Sequence, residues 1–125
     1  LKGNYYLWEP RPLDISKMQI AADLLVGEHD FSCFRGSLCQ AKSPIKTIDY
    51  IQIESSMDEL IIRVKANAFL HHMVRNIVGT LLKIGRGEKN VEWMSAVLAS
   101  KDRRKAGPTA EPQGLYFIKA FYEEI

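Results

Sequence analysis

The sequence is short of cysteine, of long apolar runs and of net charge, and each shortage closes off a class of protein. Two cysteines in 125 residues, Cys33 and Cys39 in a C-x5-C spacing, are too few for a disulfide scaffold and match no redox or zinc pattern, so both are expected as free thiols. The longest apolar runs fall far below the roughly 20 residues that cross a bilayer, and no charged segment leading into an apolar one marks export. The chain therefore reads as soluble and cytoplasmic, with no membrane partner. A formal net charge of +2 is well short of the strongly basic balance of a dedicated nucleic-acid binder. An RNP-like aromatic strand, a KH-type GXXG and a helix-turn-helix signal are also missing, as is any Ser/His/acid arrangement. His71 and His72 are adjacent, about 100 degrees apart on a helix, with no H-E-x-x-H pattern or cysteine pair to complete a coordination sphere. No metal is expected.

What the sequence does have is unevenly placed. Residues 1–62 carry 6 basic and 9 acidic side chains, against 11 and 6 in residues 63–125, so the second half is +5. That asymmetry favours a partner bearing phosphates. A chain of 125 residues with 46% apolar content supports one domain with a core. YYLW reads as a short strand closed by EPRPL, where proline removes a donor. Asp14 then caps a helix, with Leu13 and Met18 placed as a hydrophobic staple and Ile15, Met18, Ala22, Leu25 and Val26 on one face until Gly27. EHDFSCFRGSLCQAKSP lacks periodicity and is expected as a compact loop or short helical turns anchored by Phe31 and Phe34. Residues 45–54 and 59–68, separated by SSMD, predict an antiparallel hairpin. Leu60, Ile62, Val64, Ala66 and Ala68 point one way, and Arg63, Lys65 and Asn67 give the other face a basic character. A helix from about His71 to Ile84 and another over Val91–Leu98, capped by Asn90, lead through SKDRRKAGPTAEPQ to GLYFIKAFY, a strand apolar on both faces and expected to be well buried. The whole is one α/β (α+β) unit with at least three strands and three helices.

On the helix that starts near His71, Met73, Val74, Ile77, Val78, Leu81 and Ile84 form the apolar arc, while His72, Asn76, Gly79, Thr80 and Lys83 take the other side. Arg75 lies on the flank, one turn before Gly79, which either permits a close backbone approach or is simply tolerated in the helix interior at about 1 kcal/mol relative to alanine. The arginine head either snorkels to water or forms a partly buried pair with a carboxylate or phosphate, and its planar fork suits the second. His71 and His72 either help hold an anion at the helix start or simply pack and cap. The loop KDRRKAG at 101–107 either contacts phosphates or is a solvated connection.

HDFSCFRG at 29–36, ANAFLHHMVRNIVGTL at 66–81 and KDRRKAGPTAEPQGLYF at 101–117, in this order, resemble the C-terminal half of the bacterial tRNA pseudouridine synthases that modify the anticodon arm. The likeness runs from about Arg11 to the last strand. It implies a predominantly antiparallel sheet packed with helices, forming a single domain over 1–125 and one wall of a catalytic cleft. It also implies isomerisation of uridine to pseudouridine by detaching, rotating and rejoining the base, without metal or organic cofactor. The family's catalytic aspartate sits in a GRTDAGVHA motif of the N-terminal half, and that motif does not occur in this sequence. The resemblance therefore implies that the chain alone is inactive and that its partners are tRNA, the N-terminal half and a second copy in a homodimer. On this reading Arg75 is the arginine that pairs with the aspartate, and Leu115 is the hydrophobic residue beside the target base. His71, His72 and Asn76 share the same helix, and Arg35, Arg103 and Arg104 are candidates for substrate or phosphate contacts. Tyr5 and Tyr6 do not match the family's active-site tyrosine, and Glu111 is an acidic departure in the loop. The alternative is a structural or RNA-binding domain without catalysis.

Overall fold

A computed structural model describes residues 2–9, 12–37, 42–70 and 72–109, together with the backbone of 115–121. The alternation in the middle of the chain folds as the expected hairpin: β3 (Ile45–Ser56) and β4 (Glu59–Ala66) pair antiparallel across a turn at Met57, whose φ is 56°. Ile48, Ile51 and Ile53 on β3 and Leu60, Ile62, Val64 and Ala66 on β4 are buried. A register shift between Ile48 and Tyr50 explains how residues three apart on β3 reach the same side, since an extra residue at a bulge turns the strand by one position. Outside, the basic face is already neutralised: Arg63 pairs with Glu54, and Lys65 Nζ lies 3.8 Å from Asp49 Oδ2.

β1 (Lys2–Trp8) pairs antiparallel with β4 on one side and with β5 (Leu115–Phe121) on the other. Among the described residues the sheet contains five strands in the order β2-β3-β4-β1-β5. The late strand therefore takes an edge and β1 an interior position; the burial expected from the late strand's apolar composition concerns side chains outside the described residues. At the opposite edge, Gly27–Asp30 form β2 against β3 within the stretch expected to be loop. Four mostly polar residues carry no alternation to read. They become a strand because Gly27, at φ 102°, turns the chain out of the preceding helix into line with β3.

Helix α1 (Ile15–Asp23) starts where Asp14 accepts the backbone N–H of Lys17 at 3.1 Å. It ends before Val26, which is 38% exposed rather than on the inward face. Helix α2 (Met73–Gly85) and helix α3 (Val91–Ser100) follow, α3 capped by Asn90 accepting from Trp93 N. Side chains from all three helices and the inner face of the sheet form one buried cluster, in which Met18, Leu25, Phe31, Phe34, Leu81, Ile84 and Met94 are completely enclosed. Burying each contributes about 1.5–3 kcal/mol. Phe31 and Phe34 are thus the inward anchors expected of their loop, which closes with a 3-10 turn at Ser32–Phe34. Cys33 is a buried free thiol, and Cys39 lies outside the described residues. Among the described residues no helix is long and apolar enough to cross a membrane.

Candidate active-site cleft

The chain leaves β4 at Ala66 and enters α2 through His72, which sits in the left-handed region at φ 58° and occupies the N-cap position, its side chain making no capping bond to the helix N–H groups. That turn opens a cleft of about 190 Å³ lined by Tyr5, Phe69, Leu70, His72, Met73, Val74 and Arg75. Among the described residues that line it, Arg75 is the one permanent cation in an otherwise mostly apolar wall, and its Nε is buried. A guanidinium so placed attracts a carboxylate or phosphate more strongly than it would in open water, because little solvent screens the pair. Of the other expected site residues, His72 is exposed at the cleft rim, and His71 lies outside the described residues. Leu115 is described by its backbone and stands opposite Leu7 in the β1–β5 register, two positions along β1 from Tyr5. Two larger clefts, of about 260 Å³ beside the β3–β4 turn and about 310 Å³ between α1 and α3, are lined by none of these residues.

The middle of the polar side of α2 is as buried as its apolar arc, with Asn76 only 1% exposed and Thr80 fully enclosed, whereas His72 is exposed and Lys83 half-buried at its ends. What covers the middle is the loop after α3. Asn76 Nδ2 donates to the carbonyl of Phe34 at 2.8 Å, and its Oδ1 accepts from Arg103 Nη2 at 3.1 Å and from the Thr109 hydroxyl at 2.6 Å. Arg103 also donates from Nη1 to the Gly107 carbonyl at 2.8 Å and from Nη2 to Thr109 Oγ1 at 3.1 Å. The Gly107 N–H donates to Thr80 Oγ1, whose hydroxyl donates to the Asn76 carbonyl. Only glycine fits there: a Cβ at 107 would come within 2.8 Å of Thr80 Cα and 3.0 Å of the Gly79 oxygen. Sequence reasoning singled out Asn76 and Arg103 but missed Thr80, Gly107 and Thr109. Of the two readings of Gly79, one turn after Asn76, the structure bears out close backbone approach, since position 107 lies directly against the Gly79 oxygen and the Thr80 backbone.

Arg104 points the other way, its side chain 89% exposed, and grips Asp102 through Nε and Nη2 at 3.1 and 3.0 Å. Those bonds, with the Arg104 backbone N–H, hold the Asp102 carboxyl below its ordinary range and raise the arginine's own pKa. Lys101 and Lys105 are exposed beside it. Arg35 is half-buried just after the 3-10 turn. Nearby, Asp30 is held below the usual carboxylate range, first by the Ser32 side chain and then by the Ser32 N–H, Lys101 and Arg35, against the opposing effect of burial. The structure thus brings Arg75 and His72 to the cleft and joins Asn76 to Arg103 in the seam behind it. Arg104 lies on the open surface. No group of three or more potential metal ligands occurs among the described residues.

Comparison with known proteins gives this cleft a setting. Residues 21–123 match the family described as tRNA pseudouridine synthase. The chain is 51% identical over 122 residues to tRNA pseudouridine synthase A of Hydrogenovibrio crunogenus, covering 98% of this chain and 47% of that protein. It is 50% identical over 115 residues to the enzyme of the same name from Pseudomonas aeruginosa, covering 92% and 40%. With that of Xylella fastidiosa it shares 47% identity over 124 residues, covering 99% and 48%. The chain thus spans about half the length of the curated relatives it matches, and across that span it belongs to the tRNA pseudouridine synthase family.

Proposed function

We propose that these residues are the C-terminal half of a tRNA pseudouridine synthase that isomerises uridine to pseudouridine in the anticodon arm, and that they form one wall of its catalytic cleft. The observation that carries this reading is Arg75 set in a mostly apolar cleft at the start of α2, within a stretch that matches the family. The catalytic carboxylate comes from the N-terminal half and meets the Arg75 guanidinium in the cleft. Pairing favours the ionised carboxylate and lowers its pKa, which keeps it ready to act on the nucleotide rather than to donate a proton. Leu115, across from Leu7 at the sheet edge, confines the detached base while it rotates, because a nonpolar wall offers it no competing hydrogen bond. His72 stands at the entrance, with His71 before it in the chain. Arg104 and Arg35 supply charge for tRNA phosphates, a contact that positions the substrate without reading its sequence. The working protein is a cytoplasmic homodimer that carries tRNA across both subunits, and these 125 residues by themselves do not catalyse the reaction.

The test is Arg75→Ala in the full-length enzyme, with pseudouridine formation measured at saturating tRNA and tRNA affinity measured separately. Loss of one preorganised electrostatic group lowers the rate about 10²–10³-fold, with affinity little changed. An unaltered rate would reject the active-site role of Arg75.

A further inference from the structure

The basic loop after α3 divides into two parts with opposite orientations. Arg104 faces solvent, whereas both terminal nitrogens of Arg103 are engaged by Gly107, Asn76 and Thr109. All three acceptors are neutral, and Asn76 is buried. For Arg103 to reach a phosphate it would abandon three acceptors at once; the Thr109 hydroxyl would still serve the Asn76 oxygen, but the Gly107 carbonyl at the buried seam would lose its guanidinium partner.

The bonds also have a direction. Gly107 is fastened to Thr80 and Thr109 to Asn76, so the chain from 107 to 109 runs beside α2 toward its N-terminus. Four helical residues rise about 6 Å and two extended residues span about 6.6 Å, so the two segments stay in step. Asn76 is the neighbour of Arg75, and six residues after Thr109 the chain enters β5 at Leu115. The same amide holds the Phe34 carbonyl, which ties in the turn that precedes Arg35.

We infer that Arg103 is a positioning residue rather than a phosphate contact: its guanidinium clamps the 107–109 segment onto α2 and so fixes the helical turn that carries Arg75. This inference rests on the assignment of Arg75 to the cleft. The fork geometry is what matters, because a lysine in its place offers a point charge that does not bridge the Gly107 carbonyl and the Asn76–Thr109 pair together.

The experiment uses the full-length enzyme with Arg103→Met, Arg103→Lys, Thr109→Val, Arg104→Ala and Arg75→Ala. Single-turnover pseudouridine formation at saturating tRNA is measured with tRNA Kd at several salt concentrations. Arg103→Met is expected to lose at least ~10-fold in rate, as displacement of a group by about 1 Å can cost up to ~100-fold. Its Kd and salt slope stay close to wild type, and Arg103→Lys does not restore the rate. Arg104→Ala instead weakens binding and lowers the salt slope by about 1. If Arg103→Met weakens binding with a reduced slope at wild-type rate, or if Arg103→Lys restores function, Arg103 is a phosphate contact and the inference fails. Should Arg103→Met not fold, Thr109→Val decides: a lower rate at unchanged Kd supports the clamp, and a wild-type rate overturns it. A full rate in Arg75→Ala breaks the functional assignment itself, whereas a slow Arg75→Ala beside full-rate clamp variants breaks the clamp alone.

Discussion

The outer face of β4 and the loop after α3 hold positive charge in opposite ways. Arg63 on β4 meets a carboxylate, Glu54, on a partly open sheet surface, where the two side chains are 34% and 57% exposed. Among the described residues Arg103 meets no carboxylate in its seam, yet it is anchored to a nearly inaccessible amide. The formally stronger charge pair is worth less, because water competes for it and both side chains lose freedom in forming it. The neutral network is worth more, because breaking it strands groups that water cannot reach.

That contrast is open to measurement, and the largest effect is expected at its centre. Asn76→Ala removes the partner of Phe34, Arg103 and Thr109 together and should destabilise the protein by about 3 kcal/mol in denaturant unfolding; a loss under about 0.5 kcal/mol would mean that the seam carries no more stability than a surface contact. Gly107→Ala comes next, at about 1–3 kcal/mol, since the atoms it meets are backbone rather than the end of a flexible side chain. A third effect is a titration. Burial pushes the Cys33 thiol up to about 12, above its ordinary 9.0, while Arg103 pulls it slightly down. Because the folded value is the higher one, the associated stability is complete below pH 9.0 and is lost as pH rises toward about 12. By pH 10 the loss should reach about 1 kcal/mol, and Cys33→Ala should flatten the curve in that window. Smallest is Arg63→Ala, expected at about 0.2–1 kcal/mol and reduced further by added salt. A cost for Arg63 equal to that of Asn76 would erase the comparison.

Much of the frame was legible from local pattern. The hairpin followed from alternation in 59–68, of which β4 keeps Glu59–Ala66, and α1 and α3 followed from Asp14 and Asn90 placed ahead of apolar periodicity, because each of these signals is contained within a few residues. What local pattern did not show shares a cause. β2 is a strand only because β3 lies beside it, and the edge position of β5 depends on β1 coming between it and β4. Neither neighbour is visible in the four or seven residues concerned. A helical wheel likewise separates the polar side of α2 from its apolar arc, but says nothing of a segment more than 20 residues away that buries Asn76 and Thr80. For the candidate site, position on the helix flank was enough to raise Arg75, while the basic run at 101–105 gave no sign that adjacent arginines face in different directions.

The backbone of His72 has a consequence for anyone trying to harden this protein against heat. A residue with a Cβ held in the left-handed region gives up roughly 1–2 kcal/mol, and glycine there would recover most of it while losing about 0.4–1 kcal/mol to a freer unfolded chain. By its backbone alone, position 72 therefore favours glycine, with whatever the His72 side chain holds set against that gain. The same change strips the imidazole from the rim of the cleft, so the gain in heat tolerance and the integrity of the entrance are set against each other at one position.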